Sequence, residues 1–272
     1  MSALTLTVRH TPGFRVDAAR LQPAALAALD LASVDRILLP AGNEICALAD
    51  IFDVSRDDSA VPALTIDGDV RWLDHIGAQL AEGSIVVRGS CGDYCGFQMS
   101  GGTLDVTGNA GRFTGCEMRG GRLTVRGASG DFVAGALPGN MEGMTGGTLT
   151  VHGNVGARLG DRMRRGLVLV GGDAGECAAS RVVAGTIGIA GRVGPNYGYG
   201  MRRGSVLLLQ PPDEIPVSFA EGGRGFGVFW SLLLRSFSAE IAPFSALRRD
   251  LLPRRLAGDL AVDGRGELFI VG

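Results

Sequence analysis

Residues 99–117 read Met99-Ser-Gly-Gly-Thr-Leu-Asp-Val-Thr-Gly-Asn-Ala-Gly-Arg-Phe-Thr-Gly-Cys-Glu117, and residues 118–136 repeat the pattern beginning Met118-Arg-Gly-Gly-Arg-Leu-Thr-Val-Arg-Gly127. The same unit recurs along the middle of the chain. Glycines at 83, 102, 121, 147, 166, 185 and 204 mark seven units with spacings of 19, 19, 26, 19, 19 and 19 residues. A second column, Gly92, Gly111, Gly130, Gly156, Gly175 and Gly194, keeps the same steps. The one long step places a seven-residue insertion near Ala136 to Glu142, expected to bulge out as a loop. Fixed-period self-similarity is the mark of a stacked repeat fold.

After each marked glycine comes a short alternating segment. Ser84-Ile-Val-Val-Arg88, Thr103-Leu-Asp-Val106, Arg122-Leu-Thr-Val125, Thr148-Leu-Thr-Val151 and Thr186-Ile-Gly-Ile189 place apolar residues at every second position, the period of a strand with one buried face. Ala63-Leu-Thr-Ile-Asp67 fits as a partial first unit. Met99, Met118, Met144, Met163 and Met201 stand three residues before the marked glycines, with Leu80 and Val182 in the other two units. An adaptable apolar side chain in a fixed column reads as an inward-facing stack rather than a metal site. One unit cannot bury its apolar face alone, whereas stacked units bury a continuous column and pair backbone amides between neighbours. The expected fold is all-β: a right-handed parallel β-helix of about seven turns. At about 4.8 Å per turn it spans roughly 30–35 Å. A left-handed helix built on hexapeptides is disfavoured, because 19 is not a multiple of six.

The chain has 272 residues and a formal net charge of −2, which gives no global attraction to nucleic acid or to a membrane surface. All 26 basic residues are Arg, as expected of a GC-rich coding sequence. Gly, at 44 residues, is about twice its ordinary share of about 7 %. Five Cys form no framework and fit a reducing compartment, and the first 20 residues lack the apolar segment of a secretory signal. Phe226 to Leu234 is too short to span a bilayer. A cytoplasmic protein is expected.

The flanks do not follow the repeat, so three parts are expected: an N-terminal cap (1–62), the β-helix (63–210) and a C-terminal extension with one helix (211–272). In the first part Leu4 to Val8 and Arg36 to Pro40 read as strands and Pro23 to Leu31 as a helix with Pro near its start. The last contains an apolar helix, Phe226 to Ile241, ended by Pro243, and a final strand, Glu267 to Val271. Open solenoid ends need covering, so capping is the simplest role of both flanks, and docking of a partner on the apolar helix is the sharper one.

Catalytic patterns are scarce. His10, His75 and His152 are far apart in sequence, Cys91 and Cys95 fall in different columns, and a Walker loop needs a Lys that the chain lacks. No column of Asp or Glu is evident, which argues against a polysaccharide-cleaving groove. No catalytic residue and no metal site is assigned. One constellation stands out. Arg119, Arg164 and Arg202 share a column on the third, fifth and seventh units, Arg165 and Arg203 follow them, and Arg162 and Arg181 lie on the adjoining turn. Guanidinium groups in a row suit carboxylate or phosphate recognition, either of a polyacidic ligand or of an acidic protein surface, and solvated turn arginines are the plain alternative.

The glycine-column repeat is similar to the C-terminal domain of the large glutamate synthase subunit. Leu48-Ala-Asp-Ile-Phe-Asp-Val54, the unit Asn196-Tyr-Gly-Tyr-Gly-Met-Arg-Arg-Gly204, and Arg255-Leu-Ala-Gly-Asp-Leu-Ala-Val262 with Gly264-Arg-Gly-Glu267 resemble the C subunit of formylmethanofuran dehydrogenase and of its bacterial relative, the formyltransferase/hydrolase complex. The resemblance runs over essentially the whole chain. It implies a scaffold subunit without its own active site. Its partners would be an amidohydrolase-like and a formyltransferase-like subunit, which together convert formyl-tetrahydromethanopterin to formate through formyl-methanofuran or formyl-methylofuran. It also implies an alternative, the C subunit of a molybdenum or tungsten formylmethanofuran dehydrogenase. No cofactor is expected to be held firmly by this chain. The glutamate chain of methanofuran or methylofuran is a candidate ligand for the edge formed by Arg119, Arg162, Arg164, Arg165, Arg202 and Arg203, and a module that binds such an anionic carrier is the further alternative.

Overall fold

The computed structural model describes residues 2–223 and 225–271. The chain is mostly β, with one mixed sheet of 13 strands. From one edge its order is Ala220–Glu221, Arg254–Gly258, Gly266–Ile270, Ser205–Leu208, Thr186–Ile189, Leu167–Val170, Thr148–Val151, Arg122–Val125, Thr103–Val106, Ser84–Arg88, Ala63–Asp67, Ser2–Val8 and Phe52–Asp58. From Ala63–Asp67 to Ser205–Leu208 every neighbour is parallel and follows in chain order. The register carries Leu104 onto Leu123 and Leu123 onto Leu149, so the apolar positions of one unit lie on those of the next.

Two further columns join the same units. Parallel bridges link Ala110 to Ser129, Ser129 to Val155, Val155 to Ala174 and Ala174 to Val193. On the turn that follows, Gly96 donates to the Ile76 carbonyl (2.8 Å), Gly115 to Cys95 (2.7 Å), Ala134 to Thr114 (2.9 Å), Gly160 to Val133 (2.7 Å) and Ala179 to Leu159 (2.7 Å). Backbone donors are thus satisfied by the neighbouring unit on three sides. One inward column is wholly apolar: Leu80, Met99, Met118, Met144, Met163, Val182 and Met201 are each 0–1 % exposed.

Where the chain turns a corner, side chains take over the ladder. Asp74 Oδ1 accepts the N–H of Asp93 (2.8 Å) and Asp93 Oδ1 that of Arg112 (2.8 Å); Asp131 Oδ1 does the same for Ala157 (2.9 Å). In the preceding column Ser90 Oγ accepts Asn109 N–H, Asn109 Oδ1 that of Ala128, Asn154 Oδ1 that of Asp173, and Asp173 Oδ1 that of Arg192. This corrects the expectation that no acidic column exists. Asp74, Asp93 and Asp131 stand in one column, masked in the sequence because Arg112 interrupts it and because its neighbour mixes Ser, Asn and Asp. Each acceptor occupies the space where the next unit would carry a Cβ. A Cβ on Gly111 would lie 2.1 Å from Asp93 Oδ1, and one on Gly172 would lie 2.1 Å from Asn154 Oδ1. These glycines are therefore required by close approach.

The turns also hold side chains in the left-handed region. His75, Tyr94, Phe113, Phe132, Arg158, Cys177 and Asn196 form a column with φ between 58° and 61°. A non-glycine residue there costs roughly 1–2 kcal/mol. Stacking offsets part of the cost. His75 lies on Tyr94 (4.7 Å between centroids), Tyr94 on Phe113 (4.9 Å), Phe113 on Phe132 (4.9 Å), and the Arg158 guanidinium is 5.8 Å from the Phe132 centroid.

The flanks complete the sheet. Ser2–Val8 pairs parallel with Ala63–Asp67 and antiparallel with Phe52–Asp58. The helix expected over 23–31 stops at Ala27, and a second one, Leu31–Asp35, begins after Asp30, whose carboxylate caps Ser33 N–H at 2.7 Å. At the other end Gly266–Ile270 pairs parallel with Ser205–Leu208, and Arg254–Gly258 runs antiparallel beside it. The apolar helix spans Gly227–Phe237, shorter than expected, because the Ser236 and Ser238 hydroxyls bond to the Leu233 and Arg235 carbonyls and the chain then turns. Trp230, Phe237 and Phe244 are buried against Leu169, Leu207 and Phe269 of the sheet's outer face. Outward positions run Thr65, Val86, Asp105, Thr124, Thr150, then Leu169, Gly188, Leu207 and Phe269. The change from polar to apolar marks where the helix docks, and it replaces strict alternation with strands such as Leu167–Val170 in which consecutive residues are buried. Gly188 makes room for Phe244, whose ring would lie 2.7 Å from a Cβ there. Arg122 and Glu240 close the far end with two hydrogen bonds of 2.9 and 3.0 Å.

Replacing Gly111 or Gly172 by Ala is expected to lower stability by about 3 kcal/mol, whereas Gly13→Ala, with open space around it, stays within about 0.5 kcal/mol of wild type. Urea unfolding of the three variants checks this ordering.

Candidate functional site

The column of arginines forms on one edge of the stacked units. Backbone hydrogen bonds establish the register. Arg119 N–H donates to the Met99 carbonyl (2.7 Å), Arg164 to Met144 (2.8 Å) and Arg202 to Val182 (2.8 Å), each at the same point of its unit. Thr145 and Val183 fill the alternate units. Arg119, Arg164 and Arg202 therefore stand about 10 Å apart along the edge, two turns of about 4.8 Å each. Arg165 and Arg203 occupy the adjoining column, separated by Ala184.

Sequence reasoning missed one member. The final strand continues the sheet with Ser205 opposite Glu267, so Arg265 falls next to Arg203 and donates its backbone N–H to the Arg202 carbonyl at 2.7 Å. The long excursion between Arg203 and Arg265 breaks the period. The local signal was still present, since Arg265-Gly266 stands at the start of the strand Gly266–Ile270 much as Arg203-Gly204 stands before Ser205–Leu208. Arg119, Arg165, Arg202, Arg203 and Arg265 are all exposed. Among the described residues no carboxylate lies within ion-pair distance of Arg165, Arg202, Arg203 or Arg265.

The edge is not uniform, because the insertion folds back on it. Residues 138–142 are exposed, and Glu142 brings Oε1 to 3.0 Å from Arg164 Nε without hydrogen-bond alignment. Met141 Sδ takes an Arg162 N–H at 3.0 Å. Arg181 bonds through Nε and Nη2 to both oxygens of Asp161 (2.9 and 2.7 Å), Ser180 Oγ donates to Asp161 Oδ1 (2.7 Å), and Arg162 Nε lies 3.9 Å from Asp161. Asp161 is buried, so its charge is matched by these cations and the hydroxyl. Arg162 and Arg164 are thus held by the chain itself, which leaves Arg119, Arg165, Arg202, Arg203 and Arg265 to meet a partner, the last three of them adjacent.

The insertion is anchored on the neighbouring turn. Glu117 accepts Asn140 Nδ2 (2.6 Å) and Leu137 N–H (3.1 Å) on one oxygen and Gln98 Nε2 (2.9 Å) on the other, and Gln79 Nε2 reaches Gln98 Oε1 at 3.3 Å. Burial pushes the Glu117 carboxyl up, and these hydrogen bonds outweigh it and hold it below the usual carboxylate range.

Elsewhere the chemistry is sparse. His75 Nδ1 is 3.1 Å from Asp17 Oδ2 at the mouth of a cleft of about 510 Å³ beside Phe97 and Gln79. Cys91 and Cys95 lie close enough to interact, and the neighbouring thiol together with burial pushes Cys95 up. Among the described residues no group of three or more His, Cys, Asp or Glu side chains could hold a metal ion. No helix of the described residues is long and apolar enough to cross a membrane.

The family model described as the GXGXG motif matches residues 58–220. The C subunit of the tungsten-containing formylmethanofuran dehydrogenase 2 of Methanothermobacter wolfeii is 34 % identical over 97 residues, 35 % of this chain and 36 % of that protein. The C subunit of the formyltransferase/hydrolase complex Fhc of Methylorubrum extorquens is 40 % identical over 88 residues, 32 % of each chain. The chain thus aligns with about a third of the length of these curated relatives. In three dimensions the match is nearly complete. A chain in the crystal structure of the formyltransferase/hydrolase complex FhcABCD from M. extorquens, solved with methylofuran, superposes with a TM-score of 0.90 at 38 % identity, covering 98 % of this chain and 99 % of that one.

Glu117 gives a pH test. Its folded-state pKa lies below the unfolded value of about 4.3, so its contribution is present above that pH and is lost as the pH falls through the folded value. Glu117→Gln is expected to be less stable than wild type at pH 7, and the gap in urea midpoint narrows below about pH 4. A gap that stays constant with pH would remove the carboxylate from this role.

Proposed function

The chain belongs to the GXGXG motif family, in the group that holds the C subunits of formyltransferase/hydrolase and formylmethanofuran dehydrogenase complexes, and we propose that it is the scaffold subunit of a formyltransferase/hydrolase complex. The observation that carries this reading is the 38 % identity over nearly the full length of a chain of FhcABCD. It is favoured over the tungsten dehydrogenase alternative because the aligned stretch is 40 % identical to the Fhc C subunit and 34 % identical to the dehydrogenase C subunit. In this reading two other subunits, one amidohydrolase-like and one formyltransferase-like, perform the chemistry, converting formyl-tetrahydromethanopterin to formate through a formylated furan carrier. This chain holds them in place in the cytoplasm. Five unpaired cysteines fit that reducing compartment.

A stacked solenoid suits such a role. We read residues 63–210 as a right-handed parallel β-helix, supported by three columns of unit-to-unit hydrogen bonds and by the right-handed preference of parallel crossovers. Residues 1–62 and 211–272 act as caps, since Ser2–Val8 and Gly266–Ile270 pair onto the end strands that would otherwise stand open. The exposed arginines give the scaffold a second task. Arg119, Arg162, Arg164, Arg165, Arg202 and Arg203, with Arg265 added by the fold, line an edge suited to the glutamate chain of the furan carrier, which would travel along it between active sites on neighbouring subunits. Arg202, Arg203 and Arg265 make most of this contact, because Arg162 and Arg164 already meet Met141 and Glu142.

Purification from the native cell under mild conditions, with every co-purifying chain identified by mass spectrometry, is expected to return amidohydrolase-like and formyltransferase-like subunits. A pterin-bound molybdenum or tungsten subunit would move the chain to the dehydrogenase branch, and a lone monomer would sink the scaffold reading. Reversing Arg202, Arg203 and Arg265 to Glu is expected to weaken binding of an oligoglutamate by at least about tenfold, or about 1.4 kcal/mol, in calorimetry at low salt. Unchanged binding would remove the edge from carrier recognition.

A further inference from the structure

The Gly227–Phe237 helix is apolar on more of its surface than its packing uses. Trp230, Leu233, Leu234 and Phe237 recur at helical spacing and are buried against the sheet. Phe229 stacks on Phe269 at the flank of this packing (5.4 Å between centroids), the opposite side carries Val228 (79 % exposed) and Leu232 (57 %), and the segment that runs alongside adds Leu251 and Leu252 at 47 and 51 %. That segment is tied to the helix by the Trp230 Nε1–H bond to the Arg248 carbonyl at 3.4 Å. Two clefts flank the helix. Val228, Leu232, Arg235 and Arg249 line one of about 550 Å³, and Phe226, Leu252 and Pro253 line the other, of about 720 Å³. A contiguous exposed apolar patch of this kind marks an interaction surface.

The charges at its rim select the occupant. Arg248 pairs with Asp250 and Arg254 with Glu221, but Arg235 and Arg249 are exposed and have no carboxylate within ion-pair distance among the described residues. Both free charges at this rim are cationic, so a partner face that carries Asp and Glu complements it better than a second copy of the same face does. We propose that the outer face of the Gly227–Phe237 helix docks onto a different subunit of the same complex, on an apolar patch rimmed by Asp and Glu that pair with Arg235 and Arg249. This inference rests on the scaffold reading. The face lies beyond the sheet's outer surface, so it adds a docking site separate from the arginine edge.

The test is made on the assembled complex. A benzophenone amino acid placed at position 228 is expected to crosslink to another subunit within a peptide that contains Asp or Glu. Crosslinks confined to a second copy of this chain, or to lipid, would overturn the proposal. Val228→Asp with Leu232→Asp is expected to release the chain from the complex with its melting temperature unchanged, because both side chains already face solvent. As a check that does not depend on burying a charge, Arg235→Glu with Arg249→Glu is expected to weaken assembly at least about tenfold at low salt. A wild-type complex whose assembly neither pair of substitutions alters overturns this inference alone, whereas a wild-type chain that purifies without partners overturns the scaffold reading as well.

Discussion

At the corners of the stacked units, backbone N–H groups donate to Asp, Asn or Ser side chains of the preceding unit, and most of the architecture follows from that bond. A strand ladder ends wherever the chain turns, and the donors beyond it would be left unpaired. Asp74, Asp93, Asn109, Asp131, Asn154 and Asp173 supply the missing acceptors. The acceptor fits only where the next unit has no side chain at that point, which is why Gly92, Gly111, Gly156 and Gly172 stand where they do. Once corners are satisfied in this way, similar units stack without limit, and the apolar column inside them becomes continuous.

A stack without limit has two open ends and two long faces, and the flanks answer each. The N-terminal strand and the returning C-terminal strand pair with the end units, while the Gly227–Phe237 helix covers the half of the outer face where Leu169, Leu207 and Phe269 replace polar residues. The Arg122–Glu240 pair stands at the boundary between covered and open sheet. The Glu240 side chain is only 7 % exposed, so the pair holds in a partly desolvated setting where removing either partner leaves a costly charge. What remains uncovered is the polar half of the outer face, the arginine edge and the outer side of the helix, three surfaces of different character on one rigid frame.

That division of surfaces suits the proposed scaffold role, in which other subunits are held at fixed separation. Neighbouring units are spaced by backbone hydrogen bonding, so two sites on the stacked units keep their distance more strictly than sites on loops. The insertion between the third and fourth marked glycines adds to this control of the surface. It is pinned by Glu117 and in turn neutralises Arg164, so the densest group of free cations on the edge, Arg202, Arg203 and Arg265, stands at the end nearest the returning strand Gly266–Ile270.

The period of 19, the glycine columns, the inward methionines and the strand positions were legible in the sequence, because each depends on contacts that repeat at fixed separation along the chain. So was the family resemblance, and with it the expectation of a subunit within a larger complex. The acidic corner column was not legible, since Asp, Asn and Ser are interchangeable as acceptors and no single residue type marks the position. The stacked ring column from His75 to Phe132 was hidden because a left-handed turn residue is normally sought at Gly. Tertiary structure alone decided that Arg265 completes the arginine edge, that Arg162 and Arg164 are engaged by the insertion, and that the apolar helix lies on the outer face. Each of these joins residues whose separation follows no period, and only the folded chain fixes which of them meet.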